Sequence, residues 1–542
     1  MPTLQKITAI LRTAADRATT RIDGMSDTAI MTAFSLCYLA VRILTLPLVE
    51  FGGDVVYKWR IFRYFVAVGT WFPTVPDHHL GRWAQNLPTI GVIRLLGSTH
   101  PTVSMIVPIL SGLGVLLLVY LISRRIAGKT AAVLTVLAVM GYRTFVIESA
   151  QLLPSMPAAL YTLLALELML RHLEEPRRLL PPFLAGVAMG LAWGCKVTAA
   201  YWCVGIAIHL IFSPGGGRDL LKGRRFRIGA DLLLFSLGFL IVFAVETVCL
   251  NRVFGVSRGR FALLFIHSGE NPHLALTGLT AYLFSPLRFF LSLRGKGLDF
   301  VPKATLFLLT VPTIWFTLKH EAAGSAKRML AVVLLIAGLF HCYLVTRVFP
   351  FRHPERPLLR YFFTLACVAL ILVIAQYPAL LASLHGRRRQ IMAAVTGACF
   401  ALYALFAFIA VINDPLINND NLINTIRSYR GAEIQLREEL PMLIRYHRGR
   451  EFNSRTAKLV IAWKSLTGKI DELPALQTER FDELSAEWSA VPPVVTADGE
   501  RFFLLRGKTP PTEGEALCAV VDEQNLSLRR LRFSPNREGT KR

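Results

Sequence analysis

Long apolar segments recur through the first 412 residues of this chain and constrain its fold more than any other feature. A helix needs about 20 consecutive apolar residues to cross the hydrocarbon core of a bilayer. Only helices or closed barrels can satisfy their backbone polar groups in that environment. The sequence therefore predicts an all-α polytopic membrane protein with about 11 transmembrane helices. The predicted helices cover residues 29–49, 102–123, 129–147, 151–171, 180–195, 197–212, 229–250, 303–319, 329–347, 359–383 and 391–412.

The distribution of charge predicts how the chain is oriented in the membrane. The net charge is +24, and residues 1–412 hold 40 basic against 17 acidic residues. This excess is concentrated at the N-terminus and in the short loops "SRRIAGK", "RHLEEPRR", "GGGRDLLKGRRFR", "KHEAAGSAKR" and "HGRRRQ". A nucleic-acid-binding protein would instead place its basic residues on one soluble face. By the positive-inside rule the basic loops and the N-terminus are cytoplasmic, and the chain after residue 412 lies outside.

Three regions follow from these patterns. Residues 1–28 form a cytoplasmic N-terminal segment, residues 29–412 form the transmembrane domain, and residues 413–542 form a soluble domain on the periplasmic or extracellular side. Charge is balanced in the last region, with 20 basic and 19 acidic residues. Its beginning has the spacing of an amphipathic helix, and "ERFFLLRG" and "EALCAVVDE" are typical of short strands. We expect a small α+β domain there.

Charged residues stand where the first predicted helix leaves the membrane. The stretch "FGGDVVYKWR" places Asp54 at this point, with Lys58 four residues later. The loop that follows contains "VPDHHLGRWAQNLP", which adds His79 and Arg82. Charges close to hydrocarbon are costly and usually serve a function. These residues are therefore candidates for a site, and the alternative for Asp54 is a solvated loop charge.

Later turns on the same predicted side add further candidates. Glu148 stands in "IESAQLLPSMP", Lys196 in "WGCKVTAAYW", and Arg356, Arg360 and Tyr361 in "PFRHPERPLLRYFF". Arginine and lysine suit a phosphate group, because Arg donates in a fork and Lys acts as a point charge. A carboxylate suits removal of a proton from an acceptor hydroxyl. The alternatives are that Glu148 pairs with a neighbouring cation and that Lys196 extends toward the membrane surface.

No cofactor is predicted. His78 and His79 are adjacent, so their side chains point in different directions, and no acidic cluster accompanies them. A zinc site would need more ligands at suitable spacing. The "GGG" at 215–217 lacks the strand–helix setting of a phosphate-binding loop. A divalent metal is left open by the residues but not supported by them.

Taken in order, these motifs resemble the GT-C class of membrane glycosyltransferases, in particular its dolichyl-phosphate-mannose–protein mannosyltransferase-like and aminoarabinose-transferase-like branch. The matching features are "GGD", "DHHLGRWAQNLP", "ESAQLLPSMPAALYTLLAL", the Gly-rich "LAGVAMGLAWGCKVTA" and the "RY" that opens a late segment. The resemblance covers residues 29 to about 385. The chain departs from the family pattern at Val55, where protein mannosyltransferases carry a second acidic residue, and at Ser155, where many relatives carry Asp.

The resemblance implies roles for the candidate residues. Asp54 would be the general base on the acceptor, and Glu148 a second catalytic carboxylate. The implied phosphate-binding residues are Lys196, Arg360, Tyr361 and Arg82. We expect His79, Lys58 and Arg356 to bind substrate.

The sequence therefore predicts an integral-membrane glycosyltransferase of a bacterial inner or plasma membrane. It would transfer a sugar, with inversion, from a polyprenyl-phosphate donor to an extracytoplasmic lipid-linked glycan, polysaccharide or protein. Membrane lipids are its expected surroundings, and no nucleic acid is an expected partner. Two alternatives stay open. One is a transporter of lipid-linked glycans, although no second copy of the large outer loops indicates the internal repeats of such proteins. The other is a scaffold subunit with a degenerate site.

Overall fold

A computed structural model describes most of the apolar part of the chain. The described residues are 13, 16–45, 58, 62, 80–97, 101–149, 151–212, 224–252, 275–276, 300–322, 324–343, 353–354, 362–412, 494–495, 501–506, 518–522 and 527–530.

Helices dominate the described residues. They are α1 (Asp27–Thr45), α2 (Trp83–Leu96), α3 (Pro101–Ser104), α4 (Ile106–Ala127), α5 (Lys129–Met140), α6 (Arg143–Glu148), α7 (Ser155–Glu174), α8 (Leu180–Cys195), α9 (Ala200–Phe212), α10 (Arg224–Arg252), α11 (Phe300–His320), α12 (Ala326–Cys342), α13 (Phe363–Ala382) and α14 (Gly386–Ile412). Two short 3-10 turns, Leu80–Arg82 and Val197–Ala199, precede α2 and α9. A helical stretch, Asp16–Gly24, precedes α1 and is bent by 104° from it.

A helix occupies at least part of each predicted apolar segment. Among the described helices, Ile106–Ala127, Gly229–Arg252 and Phe363–Ala382 are each long and apolar enough to cross a bilayer. The bent pair that ends with α1 adds a fourth crossing if it is counted as one span. The protein is therefore an integral membrane protein that is mostly helical. The number of about 11 crossings stays a prediction.

Some predicted segments are not single α-helices in the structure: 102–123 holds α3 and α4, and 129–147 is divided more clearly. Residues 129–147 were expected to form a single helix, but α5 ends at Met140 and α6 begins at Arg143. Tyr142 between them has an extended backbone, with φ −78° and ψ 114°. Apolar composition alone does not reveal such a break, because both sides of it remain apolar.

Glycines allow α8 and α10 to pack with their backbones in contact. A Cβ atom added to Gly186 would overlap the carbonyl oxygen of Phe235, and one added to Gly238 would overlap that of Phe183. Small residues at helix interfaces are a common device in membranes, where close van der Waals packing replaces the hydrophobic driving force. The Gly-rich pattern of α8 is therefore explained by this contact.

Polar side chains join the helices at the end of the bundle where α4 and α7 finish. The carboxylate of Asp27 accepts hydrogen bonds from Tyr120 at 2.8 Å and from Arg124 at 2.6 Å. Two residues from neighbouring helices, His172 and Asp231, lie 3.0 Å apart. These contacts connect α1 to α4 and α7 to α10. They fix the helix ends at what the charge pattern predicts to be the cytoplasmic side.

The described residues also include short strands. Strand β1 (Ala275–Leu276) pairs antiparallel with β2 (His353–Pro354), so the loop after α10 meets the loop before α13. In the C-terminal region, β3 (Val494–Val495), β4 (Arg501–Arg506), β5 (Cys518–Asp522) and β6 (Ser527–Arg530) form an antiparallel sheet in the order β3-β4-β5-β6. Strands β4 and β5 lie where the sequence predicts them. The amphipathic helix predicted at the start of this region falls outside the described residues, so the α+β domain stays a prediction.

The backbone contact between α8 and α10 yields a stability prediction. We expect Gly238→Ala to destabilise the protein by about 1–3 kcal/mol, since overpacking against a backbone carbonyl cannot be relieved by a side-chain rotation. The check is the thermal unfolding midpoint of the protein in detergent. The matched control is Gly397→Ala in α14, because nothing lies within 4 Å of a Cβ atom at that position. An unchanged midpoint for Gly238→Ala would contradict the close packing.

Candidate active site

The ends of four helices meet around one polar pocket. Ser155 begins α7, Lys196 follows α8, His341 lies one residue before the end of α12, and Phe363 begins α13, and all four residues line the pocket. The pocket lies at the opposite end of α7 from the Glu174 terminus. By the charge pattern this is the exterior end of the bundle, which is where the sequence predicts the site.

The break between α8 and α9 places Lys196 in this pocket. Its backbone is extended, with φ −155° and ψ 124°, between the end of α8 and the 3-10 turn Val197–Ala199. The half-buried ammonium group donates a hydrogen bond to the hydroxyl oxygen of Ser155 at 3.3 Å. The predicted site residue Lys196 is therefore held beside Ser155, where the sequence departs from the family pattern.

His341 is a second polar group in the pocket. Its side chain is only 4% exposed, and its Nδ1 lies 2.7 Å from the carbonyl oxygen of Ala337. The ring also packs edge-on against Tyr201 and at a tilt against Phe362, with centroid distances of 5.0 and 5.5 Å. These contacts fix the orientation of the imidazole, and its position on the pocket wall makes it available to a ligand.

A glycine joins the first outer loop to this region. A Cβ atom added to Gly194 would lie 2.8 Å from the Cβ atom of Ala84 and 2.8 Å from Nε1 of Trp83. The start of α2 therefore packs directly on the last turn of α8, two residues before Lys196. Because of this contact, two segments of the predicted site, far apart in sequence, are adjacent in the structure.

Lys58 and Gln85 form a buried polar pair beside this contact. Lys58 is 1% exposed, and its ammonium group donates to Oε1 of Gln85 at 2.5 Å. Phe62, four residues after Lys58, is also fully buried. The segment that contains Lys58 is therefore anchored to α2. Substrate binding by Lys58 stays a prediction, and its observed contact is structural.

Glu148 lies close in sequence to the pocket without lining it. It ends α6, seven residues before Ser155, and is 4% exposed. The neighbouring Ser149 packs near Gly112, where an added Cβ atom would lie 2.9 Å from the Ser149 Cβ atom. A buried carboxylate at this end of the bundle is consistent with either of its predicted roles.

The remaining candidates are described in part. Arg82 closes the 3-10 turn before α2 and is partly exposed. The other predicted site residues lie outside the described residues, and their placement stays a prediction: Asp54, His79, Arg356, Arg360 and Tyr361. Arg360 and Tyr361 directly precede Phe362 and Phe363 in the sequence, and Phe363 lines the pocket.

Sequence reasoning missed His341 and Gln85. A signal existed for both: His341 is the one polar residue in the otherwise apolar stretch 329–342, and Gln85 stands within the quoted loop motif. No group of three or more His, Cys, Asp or Glu side chains suited to a metal ion occurs among the described residues. The expectation of no metal stays a prediction, since the residues outside that set are not tested.

Comparison with known proteins gives a match to a family and weak likenesses to structures. The family of dolichyl-phosphate-mannose-protein mannosyltransferases matches residues 83–245. No curated protein matches the chain significantly.

Among solved structures, ArnT from Cupriavidus metallidurans bound to undecaprenyl phosphate is 17% identical, over 86% of this chain and 82% of that chain, with a TM-score of 0.46. The apo oligosaccharyltransferase of Archaeoglobus fulgidus is 16% identical, over 70% of this chain and 56% of that chain, with a TM-score of 0.37.

The predicted resemblance to mannosyltransferase-like GT-C membrane glycosyltransferases is confirmed by the family match, over residues 83–245. This family match covers α2 to α9 and most of α10. Those elements contain Gln85, Glu148, Ser155 and Lys196. The protein is thus an integral membrane protein whose polar pocket includes residues of a mannosyltransferase-like segment.

The buried Lys58–Gln85 pair yields a second prediction. We expect Lys58→Met to destabilise the protein by about 1–3 kcal/mol, because it leaves the buried Gln85 oxygen without this donor. The double variant Lys58→Met, Gln85→Leu should recover part of that loss, since it removes both polar groups. Unfolding of the two single variants and the double variant in detergent measures the coupling. Strict additivity of the two single effects would show that the pair contributes nothing.

Proposed function

We propose that the protein is a membrane glycosyltransferase that moves a sugar from a polyprenyl phosphate to an extracytoplasmic hydroxyl. The observation that carries this proposal is the placement of Lys196 in a polar pocket where helix ends meet in an apolar bundle. Charges so placed are usually functional. The family match over residues 83–245 supports glycosyl transfer as the chemistry.

Lys196 is proposed to bind the phosphate of the donor lipid. An ammonium group is a compact point charge that binds phosphate oxygens, and its bond to Ser155 keeps it on the pocket wall. Arg360, Tyr361 and Arg82 are proposed to add further donors. The lipid chain would lie along the apolar helices and enter the pocket laterally from the membrane.

Asp54 is proposed as the general base, with Glu148 as a second carboxylate. The acceptor oxygen attacks the anomeric carbon, and its proton passes to the Asp54 carboxylate. The bond between the anomeric carbon and the phosphate oxygen breaks as the new glycosidic bond forms, so the electron pair leaves with the polyprenyl phosphate. Attack from the face opposite the phosphate inverts the anomeric centre.

The structure supports a positioning role for Lys58 in this scheme. Asp54 stands four residues before Lys58 in the sequence, and Lys58 is bonded to Gln85 of α2. That helix packs on the last turn of α8, next to Lys196. We propose that this chain of contacts limits the distance between the base and the phosphate site. His79 and Arg356 are proposed to contact the acceptor.

The proposed orientation follows from charge. The basic loops and the N-terminus are cytoplasmic, and the pocket and the C-terminal region face the periplasm or the exterior of a bacterial cell. The pairing of β1 with β2 joins a segment after α10 to a segment before α13, and we propose that both belong to loops on the pocket side of the membrane. These loops would cover the site when donor and acceptor are bound. The acceptor is a lipid-linked glycan, a polysaccharide or a protein.

Replacing the proposed base gives the direct test. We expect Asp54→Asn to reduce glycan transfer by about 10²–10⁴-fold, the usual contribution of a general base, while the folded protein remains in the membrane. Transfer from a labelled polyprenyl-phosphate sugar is the measurement. The matched control is Asp16→Asn, at an exposed position before α1.

Two results would contradict the proposed function. Full transfer by the Asp54→Asn variant would remove Asp54 as the base. Movement of intact lipid-linked sugar across vesicles, with no new glycosidic bond from the wild-type protein, would indicate a transporter.

A binding measurement tests the phosphate site separately from catalysis. We expect Lys196→Met to weaken the binding of undecaprenyl phosphate by about 10–100-fold, the range for a hydrogen bond to a charged group. Lys196→Arg should retain most of the affinity, since it keeps the charge. Lys319→Met is a control on the predicted cytoplasmic side, where the lysine is exposed near Trp315. Equal affinities for the Lys196→Met and wild-type proteins would remove this residue from the phosphate site.

A further inference from the structure

Three adjacent arginines begin α14 at the end of the bundle opposite the pocket. Arg387, Arg388 and Arg389 are exposed, and the first turn of the helix holds no acidic residue. Helix α13 begins at the pocket with Phe363 and ends at Ala382, so α14 begins at the predicted cytoplasmic end. Within the described part of the chain, none of the three guanidinium groups forms an ion pair or a hydrogen bond. Their charge is therefore available to an anion from outside the protein.

Contacts on one face fix the rotation of α14 about its axis. The Tyr403 hydroxyl donates to the carbonyl oxygen of Ala138 in α5 at 2.9 Å. The Thr396 hydroxyl contacts the hydroxyl of Tyr377 in α13. Thr396 and Tyr403 are seven positions apart and lie on the same face of the helix. The opposite face of α14 is therefore turned away from the bundle.

An exposed apolar stripe on that opposite face continues from the arginines. Ile391, Val395 and Leu402 are between 43% and 54% exposed. Arg387 and Arg388 stand four and three positions before Ile391, so they lie on the same face as the stripe. From Ile391 to Leu402 the stripe extends about 16 Å, at a rise of about 1.5 Å per residue. This length is half of the hydrocarbon core of about 30 Å, which is the depth of one lipid leaflet.

We propose that Arg387 and Arg388 bind the headgroup phosphate of an anionic phospholipid in the cytoplasmic leaflet, with an acyl chain of that lipid along Ile391, Val395 and Leu402. A guanidinium group donates hydrogen bonds in a rigid fork that matches the oxygens of a phosphate. Acidic lipids are attracted to basic residues beside a transmembrane helix at this surface. In a zwitterionic lipid the cation of the headgroup already balances the phosphate, so two arginines add less. The site lies at the opposite end of the bundle from the pocket and is independent of the proposed function.

A second pair of exposed arginines at the same end shows what distinguishes this site. Arg17 and Arg21 lie in the helical stretch Asp16–Gly24, where Asp16 and Asp23 balance their charge. That stretch has no exposed large apolar side chain. Both pairs contribute to the orientation of the chain by the positive-inside rule. Only the pair in α14 combines unbalanced charge with a surface for an acyl chain.

The test measures the dissociation constant of the first phosphatidylglycerol bound to the full chain in detergent, by native mass spectrometry. We expect the double variant Arg387→Gln, Arg388→Gln to weaken this binding by about 10–30-fold, the combined contribution of two arginines beside an acidic lipid surface. Arg387→Lys, Arg388→Lys should retain most of the affinity, because the positive charges remain. The charge-matched control, Arg17→Gln, Arg21→Gln, should bind phosphatidylglycerol as the wild-type protein does.

Two further probes separate this site from other sources of binding. Phosphatidylcholine should bind equally to the wild-type protein and to the three double variants, which also shows that the variants are folded. Inorganic phosphate at the same concentration should not displace phosphatidylglycerol, since it has no acyl chain. Lys196→Met should leave the first phosphatidylglycerol in place, because the pocket lies at the other end of the bundle.

Four outcomes would overturn the inference. The Arg387→Gln, Arg388→Gln variant could keep the wild-type affinity, or the Arg17→Gln, Arg21→Gln control could lose as much. Phosphatidylcholine could weaken as much as phosphatidylglycerol in the α14 variant, which would remove the selection for an anionic lipid. Displacement by inorganic phosphate, or loss of the lipid in Lys196→Met, would place the bound anion elsewhere. Sugar transfer is a separate measurement, and its absence would refute the glycosyltransferase without affecting the lipid site.

Discussion

The interruption between α8 and α9 is the feature on which the site depends. Lys196 leaves the helix with an extended backbone, and the chain resumes as a 3-10 turn and a second apolar helix. Irregular backbone at membrane depth is tolerated where it is buried in protein or lines a cavity. Here it lines a pocket and presents an ammonium group to it. A continuous helix would place the same residue at an ordinary position on its surface.

Close packing around α8 keeps that interruption in place. Its glycines admit α10 on one side and the start of α2 on another. The helix is therefore fixed by backbone contacts along its length and ends at a defined point. Gly194 is required for this packing, because any side chain there would displace Trp83 or Ala84 from the last turn of α8, next to Lys196.

The two ends of the bundle use polar groups differently. At the end where α7 finishes, Arg125 contacts both Glu167 and Glu174, and Arg171 also bonds to Glu167 at 2.9 Å. The Arg125 ion pairs join α4 to α7, and each of the two carboxylates is paired with at least one arginine. In the pocket, Lys196 bonds to a neutral hydroxyl, and His341 directs one nitrogen to its own helix. The first arrangement suits a structural role and the second suits a ligand.

Apolar segments predict most of the helices because their period and length are local properties of the chain. The sequence also predicts that Lys196 lies between two helices, because the apolar segments before and after it, 180–195 and 197–212, are both short. The partnership of Lys196 with His341 was not predictable, because it joins residues 145 positions apart through tertiary packing. The break at Tyr142 was missed since apolar residues continue through it. The lone histidine of α12 was read as part of an apolar segment, although its polarity set it apart.

The most direct measurement of the central claim is an experimental structure of the protein with undecaprenyl phosphate in a lipid nanodisc. The account predicts the phosphate within hydrogen-bonding distance of the lysine ammonium group, in the pocket between the ends of α7, α8, α12 and α13. A phosphate bound at the other end of the bundle, or no lipid in the pocket at saturating concentration, would contradict it.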